Sequence, residues 1–154
     1  MDVNQGPSTL PKSSLETVFT VTDYWDGPRQ GIANFQGKPH FYDCVFDEQE
    51  NGYSNFFRLT PIDEEAFRLA MEDWAIWRRW YLAFHSGQTD ISSHPALPED
   101  AERHRQLKEI LEKKLVTDQA KAETRIGRFT VPQDPELEPG IRRPMQVEWL
   151  EVDA

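Results

Sequence analysis

The chain of 154 residues has a single cysteine, Cys44. No intrachain disulfide can form, and no multi-cysteine zinc site can be built within one chain. Positive charge is also scarce, with 17 Lys plus Arg against 27 Asp plus Glu and a formal net charge of −10. Affinity for phosphate backbones comes largely from clustered Lys and Arg that release counterions, so direct nucleic-acid binding is not expected. No apolar run approaches the roughly 20 residues that a membrane span needs, which argues against a membrane protein. The first residues, Met1-Asp2-Val3-Asn4-Gln5-Gly6-Pro7, lack the basic start and apolar core of a signal peptide, so the expectation is a cytoplasmic protein. No glycine-rich loop matches a phosphate-binding pattern, and His85, His94 and His104 share no zinc spacing. Asp47, Gln49, Asn51 and Gly52 match the first, third, fifth and sixth positions of a calcium loop. The twelfth position, which requires a bidentate Glu, is Arg58, and that excludes such a site. Neither a metal nor a cofactor is expected.

What is present is enough apolar material for a core: 38% of residues are hydrophobic and 12% aromatic. A chain of this size buries roughly 68–70% of its unfolded surface, which makes one domain the default. Residues Met1 to Ser14 hold Gly6, Pro7 and Pro11 with almost nothing apolar, and read as a flexible tail preceding a single globular domain over 15–154. From Thr17 the pattern has period two. Val18, Thr20, Thr22 and Tyr24 point one way and Phe19, Val21, Asp23 and Trp25 the other, as in a β-branched and aromatic strand. Asp26 to Gly31 is a turn-rich break. Ile32–Phe35 and Lys38–Phe46 form a hairpin around Gln36-Gly37, since a two-residue turn needs positive φ. A polar stretch from Asp47 to Asn55 leads to a short strand, Phe56–Leu59.

Thr60-Pro61-Ile62-Asp63 offers a capping hydroxyl, a proline for the first helical position and a carboxylate at the third, which predicts a helix from about Pro61 to Phe84, stopping near Gly87. At 100° per residue only Glu65, Arg68, Glu72 and Arg79 form a polar stripe, so this helix is expected to be largely buried against a sheet. A second helix, from about Pro98 to Val116, carries a thin stripe of Ala101, Leu107, Ile110, Leu111 and Leu115, and belongs on the surface. Arg125–Val131 and Gln146–Val152 read as two closing strands around a proline-rich loop. Strands grouped in runs predict an α+β fold: an antiparallel, curved five- or six-stranded sheet or small barrel, with the aromatic helix on its concave face and the surface helix inserted before the last two strands.

Few residues stand out chemically. Phe67, Trp74, Trp77, Tyr81 and Phe84 recur every three or four residues, with Trp80 beside them. Burial alone requires that spacing, so the expectation is a core helix, although a ligand-stacking platform would share it. Asp73 and Arg78 fall inside the apolar arc, where a charge needs a partner; they are the buried-charge candidates, as members of an ion pair or as a carboxylate in a pocket. The loop from Asp23 to Gly31 gathers Tyr24, Trp25, Asp26 and Arg29, a guanidinium suited to an anion and rings suited to an apolar group, or a plain strand-ending turn. His40 shares a strand face with Tyr42, Cys44 and Phe46 and reads as a core histidine. A Cys44–His40 dyad is disfavoured by roughly 13 Å of strand rise.

Between Asp43 and Asp73 lie nine acids and two bases, a local balance of −7 that includes Asp47, Glu48 and Glu50. Two function classes follow. In the first, the protein is a small acidic binding or inhibitory module that engages a basic protein partner through Asp47, Glu48, Glu50 and the Tyr24-to-Arg29 loop. In the second, it binds or converts a small molecule in a pocket between the aromatic helix and the sheet. The lack of an assembled catalytic set favours the first. A structural subunit that buries its aromatic helix in a homo-oligomer is a third. A concave pocket joining Asp73 to the Trp25 loop would favour the small-molecule class, and a flat acidic face over a filled core would favour the binder.

Overall fold

The computed structural model describes residues 14–49, 51–131 and 145–152. The expected tail (Ser14 apart), Glu50 and most of the proline-rich loop lie outside the described residues. Six strands, β1 (Leu15–Tyr24), β2 (Pro28–Phe35), β3 (Lys38–Asp47), β4 (Gly52–Pro61), β5 (Glu123–Thr130) and β6 (Met145–Glu151), form a closed barrel in chain order, each neighbour antiparallel. Helices α1 (Glu64–His85) and α2 (Ala101–Lys114) lie between β4 and β5. The fold is therefore α+β, with both helices inserted before the last two strands. No described helix is long and apolar enough to cross a membrane.

Turn chemistry explains the hairpins. Phe35 pairs with Lys38, and Gln36 (φ 56°) and Gly37 (φ 78°) between them are both left-handed, as a primed two-residue turn requires. Glu16 of β1 secures that turn by accepting from both exposed amides, Gln36 N at 2.9 Å and Gly37 N at 2.8 Å. The break expected over Asp26 to Gly31 is shorter. Asp26 (φ 55°) and Gly27 (φ 125°) reverse the chain, and Pro28 already pairs with Tyr24 as the first residue of β2, a strand position where proline is tolerated.

The barrel interior is filled from its own strands. Val18, Ala33, Phe35, Tyr42, Cys44, Phe57, Leu59 and Val147 form one buried cluster, with Phe129 and Trp149 packed against it. Its aromatic rings meet at centroid distances of 5.4 Å for Phe57–Phe129 and 5.6 Å for Phe57–Trp149. Because that space is full, α1 does not occupy the concave face. It lies outside, in a second cluster where Leu69, Ala70 and Ile76 meet Ile32 of β2 and Leu107 and Leu111 of α2.

A β-bulge in β1 creates the two faces. The pairing slips between Val18↔Ala33 and Thr20↔Ile32. Strict alternation would put Val18 and Val21 on opposite sides, yet both pack toward the interior cluster, while Phe19 turns outward onto Phe67 of α1 with ring centroids 4.9 Å apart. Side chains satisfy the irregular backbone: Tyr42 Oη donates to Thr20 O at 2.9 Å, and Ile32 N donates to Thr20 Oγ1 at 2.9 Å. Gly31 lets the strands approach, since a Cβ there would stand 2.2 Å from Thr20 O.

The N-terminus of α1 differs from expectation by three residues. β4 continues through Pro61, and Thr60 serves another element by accepting from Asp118 N at 3.2 Å. The cap is Asp63, whose carboxylate accepts from Ala66 N at 2.7 Å. Gly87 (φ 80°) ends the helix as expected, with Gln88 N returning to Ala83 O at 2.8 Å.

Gly31→Ala is expected to destabilise the protein by about 3 kcal/mol, the upper range for overpacking against backbone, and to lower Tm by roughly 6–12 °C. Gly37→Asn, in open space and at a left-handed φ that Asn tolerates, should change Tm little. Thermal unfolding of both variants decides this; an unchanged Tm for Gly31→Ala would mean that β1 and β2 do not approach so closely.

Candidate functional site

Helices α1 and α2 run antiparallel and are joined along their seam by oppositely charged side chains. Glu65 pairs with Lys114 at 2.9 Å, Glu72 with Arg103 through two contacts of 2.5 and 2.8 Å, and Arg79 with Asp100 through two of 2.9 and 3.1 Å. The Arg103 guanidinium holds the Glu72 carboxyl below the ordinary carboxylate range, and the Glu65 carboxylate raises the Lys114 ammonium. Each pair has at least one well-exposed member, so each contributes little energy and mainly fixes the register of the two helices.

The fourth pair lies deeper. Asp73 Oδ1 and His104 Nδ1 are 2.7 Å apart, with side chains 25% and 22% exposed. A carboxylate can only accept, so Nδ1 carries the hydrogen and the tautomer is set by Asp73. His104 Nε2 has no protein partner among the described residues.

This pair lines a cavity of about 280 Å³ between the barrel's outer wall and the helices. The bulged half of β1 supplies Thr20, Thr22 and Tyr24, α1 supplies Asp73, Trp74 and Trp77, and α2 adds His104 with Leu111 and Leu115. Both threonines are already engaged: Thr22 Oγ1 donates to Gln30 O at 3.2 Å and Thr20 Oγ1 accepts from Ile32 N. Two larger, more polar grooves flank the β2–β3 turn. The first passes His40, whose Nδ1 donates to Lys38 O at 2.8 Å while its ring stands edge-on to Phe35 at 5.2 Å. The second runs past Arg125 and Trp149 at the barrel mouth.

The aromatic stripe is divided. Trp80 is buried, and its Nε1 donates to Ser93 Oγ at 2.8 Å. Phe67, Trp74, Trp77, Tyr81 and Phe84 are only half-buried, because the barrel wall, α2 and the link that covers Trp80 together leave part of the apolar arc of α1 uncovered. The same geometry corrects the reading of Arg78, which is exposed. On the open side Trp74, Trp77, Tyr81 and His85 form a ladder of rings with successive centroids 4.9, 4.9 and 4.3 Å apart.

Of the loop candidates, Tyr24 borders the cavity, and Trp25 projects into solvent, 71% exposed. Arg29 staples the turn. Its Nε donates to Trp25 O at 2.7 Å and its Nη2 to Asp26 O at 2.9 Å, and the guanidinium lies 4.8 Å over the Tyr53 ring. Cys44, below it, donates to Ser54 O at 3.1 Å, and burial pushes its thiol up. Asp26 and Glu48 are exposed, whereas Asp47 is half-buried and accepts from Gln49 N at 3.0 Å. Glu50 lies outside the described residues.

The −7 run from Asp43 to Asp73 is therefore not one surface. Glu65, Glu72 and Asp73 face bases of α2, Asp63 caps α1, and Asp43 accepts from Gln30 Nε2 and Thr117 Oγ1 at 3.3 and 3.2 Å. His104 escaped a search for zinc spacing, yet a signal was there: it precedes Leu107 and Leu111 by three and seven residues, on the buried face of α2.

The chain matches no protein-family model, no curated protein and no solved structure. Trp80→Ala should cost about 3–5 kcal/mol, as for a buried large aromatic, and Trp74→Ala and Trp77→Ala less than half as much, because their rings stay partly wet in the folded state. Urea unfolding of the three variants measures this, and equal losses would refute the half-buried placement of Trp74 and Trp77.

Proposed function

We propose that the chain is a small-molecule-binding protein whose site is the cavity between β1, α1 and α2. The observation that carries this reading is the Asp73–His104 pair, a polar and charge-capable group held at 2.7 Å within walls that are otherwise aromatic and aliphatic. Binding sites share this composition, a mostly apolar concavity with a few convergent polar groups. The cavity also joins Asp73 to Tyr24, next to the β1–β2 turn, which supports a small-molecule site. Binding rather than turnover is the function proposed, because among the described residues what accompanies the pair is mostly aromatic and aliphatic lining.

A second reading has its own support. Trp25, Phe46 and Tyr53 are exposed by 71, 47 and 38% at the barrel end formed by the β1–β2 and β3–β4 turns, where Phe46 and Tyr53 stand edge-on at 5.3 Å. Exposed aromatics beside Asp26, Asp47 and Glu48 suit a basic protein partner, with Trp25 as anchor and the carboxylates steering the encounter.

The cavity is tested by ligand-observed NMR with a panel of small aromatic compounds, against the wild type and Thr22→Trp, which places an indole at the cavity rim from an exposed strand position. Hits that bind the wild type and are lost in the folded Thr22→Trp protein are expected; hits that bind both equally would overturn the site. The second reading expects association with a basic partner to slow with salt and with the double reversal Asp47→Lys, Glu48→Lys. An association rate indifferent to both would leave that surface merely solvated.

A further inference from the structure

The chemistry of the cavity restricts what it can hold. Trp74 ends the ring ladder: it stacks on Trp77 with planes inclined by 23°, and no other ring contacts it among the described residues. Trp74 also lines the cavity, so a flat ring placed there extends the ladder by one step, a contact worth more than its buried area alone. The polar complement is small. Thr20 Oγ1 accepts from Ile32 N and Thr22 Oγ1 donates to Gln30 O, both on β2, while His94, exposed on the link between the helices, stands edge-on to Trp80 at 4.6 Å. His104 differs from these in being held by a carboxylate, which fixes its tautomer and its orientation at the cavity wall. With its Nδ1 hydrogen committed to Asp73, a neutral imidazole presents at Nε2 a lone pair and no hydrogen.

We infer that the cavity selects a flat aromatic compound bearing a hydroxyl or N–H group, which stacks on Trp74 and donates its hydrogen to His104 Nε2. This rests on the cavity being a ligand site. Asp73 acts as a positioning residue: it fixes the tautomer and ring orientation of His104, and its negative charge behind the imidazole disfavours a ligand carboxylate over a neutral donor. A matched compound that has lost only its hydrogen leaves Nε2 desolvated without a donor, and that penalty is the basis of selection.

The test uses four probes with one ring system: 2-naphthol, naphthalene, 2-methoxynaphthalene and 2-naphthoate. Calorimetric titration of the wild type is expected to rank 2-naphthol about tenfold tighter than each of the others, the value of roughly one net hydrogen bond. In His104→Phe the naphthalene affinity should persist and the naphthol advantage disappear. A second measurement needs no variant: the Nε2 nitrogen resonance of His104 should move on adding 2-naphthol and stay in place with 2-methoxynaphthalene. Equal affinities for the four probes, a naphthol preference that survives in His104→Phe, or an unmoved Nε2 resonance would overturn the donor inference. In those cases loss of probe binding in Thr22→Trp would still uphold the cavity as a ligand site. Failure of every probe to bind, or binding that ignores Thr22→Trp, would overturn the inference together with the reading beneath it.

Discussion

Much of this structure depends on a knot of backbone and side chain at the bulge in β1. A closed barrel of six short strands has little interior, and rings from β3 to β6 already fill it. A first strand that kept strict alternation throughout would have no reason to offer a second apolar face. The slip between Val18 and Thr20 changes that, because it lets Val18 and Val21 serve the interior while Phe19 serves the helices. Such an irregularity survives only if its displaced groups find partners. Tyr42 supplies one from inside the barrel, Thr20 supplies another with its own hydroxyl, and Gly31 supplies the space. Beyond this point β1 pairs with β2 alone among the described residues, and its outer surface becomes a wall of the cavity.

The helices respond to the same constraint. They cannot enter the barrel, so they lie against its outside and against each other, and the apolar arc of α1 is wider than the barrel wall, α2 and the link over Trp80 together cover. That accounts for one helix carrying a buried tryptophan, Trp80, and two half-buried ones, Trp74 and Trp77. It also accounts for the charge pattern of α2, whose balanced acids and bases look featureless along the sequence. Arg103, His104 and Lys114 are spaced to meet Glu72, Asp73 and Glu65 on an antiparallel neighbour.

Legibility in the sequence followed the range of the interactions. The Gln36-Gly37 turn, the stop at Gly87 and the alternation of β3 depend on residues a few positions apart, and each could be read directly. The α+β class and the insertion of both helices before the last two strands followed from the order of such elements. The start of α1 was misread by three residues because Thr60, a competent cap in isolation, is occupied by Asp118 from a segment almost sixty residues away. The bulge was invisible for a similar reason: its cause lies in Gly31 and Tyr42 on two other strands. Of the candidate site, Asp73 stood out as a charge on an apolar arc, and Arg78 stood out by the same test although no element covers it. His104 was passed over because it was weighed only as a metal ligand, not by the helical face it shares with Leu107 and Leu111.

The seam also bears on why Asp73 and His104 occupy the position they do. Glu65–Lys114, Glu72–Arg103 and Arg79–Asp100 already set the register of the two helices, each with at least one well-exposed member. A fourth pair adds nothing to register that the others lack, and with both members largely covered it costs more than an aliphatic pair of similar volume would at that point. Leu111 and Leu115 nearby demonstrate that aliphatic packing is compatible with this face of α2. A stability-driven sequence would therefore place apolar residues at 73 and 104. Retaining a carboxylate and an imidazole there is consistent with a chemical role for the pair, in which Asp73 orients an acceptor nitrogen toward the cavity.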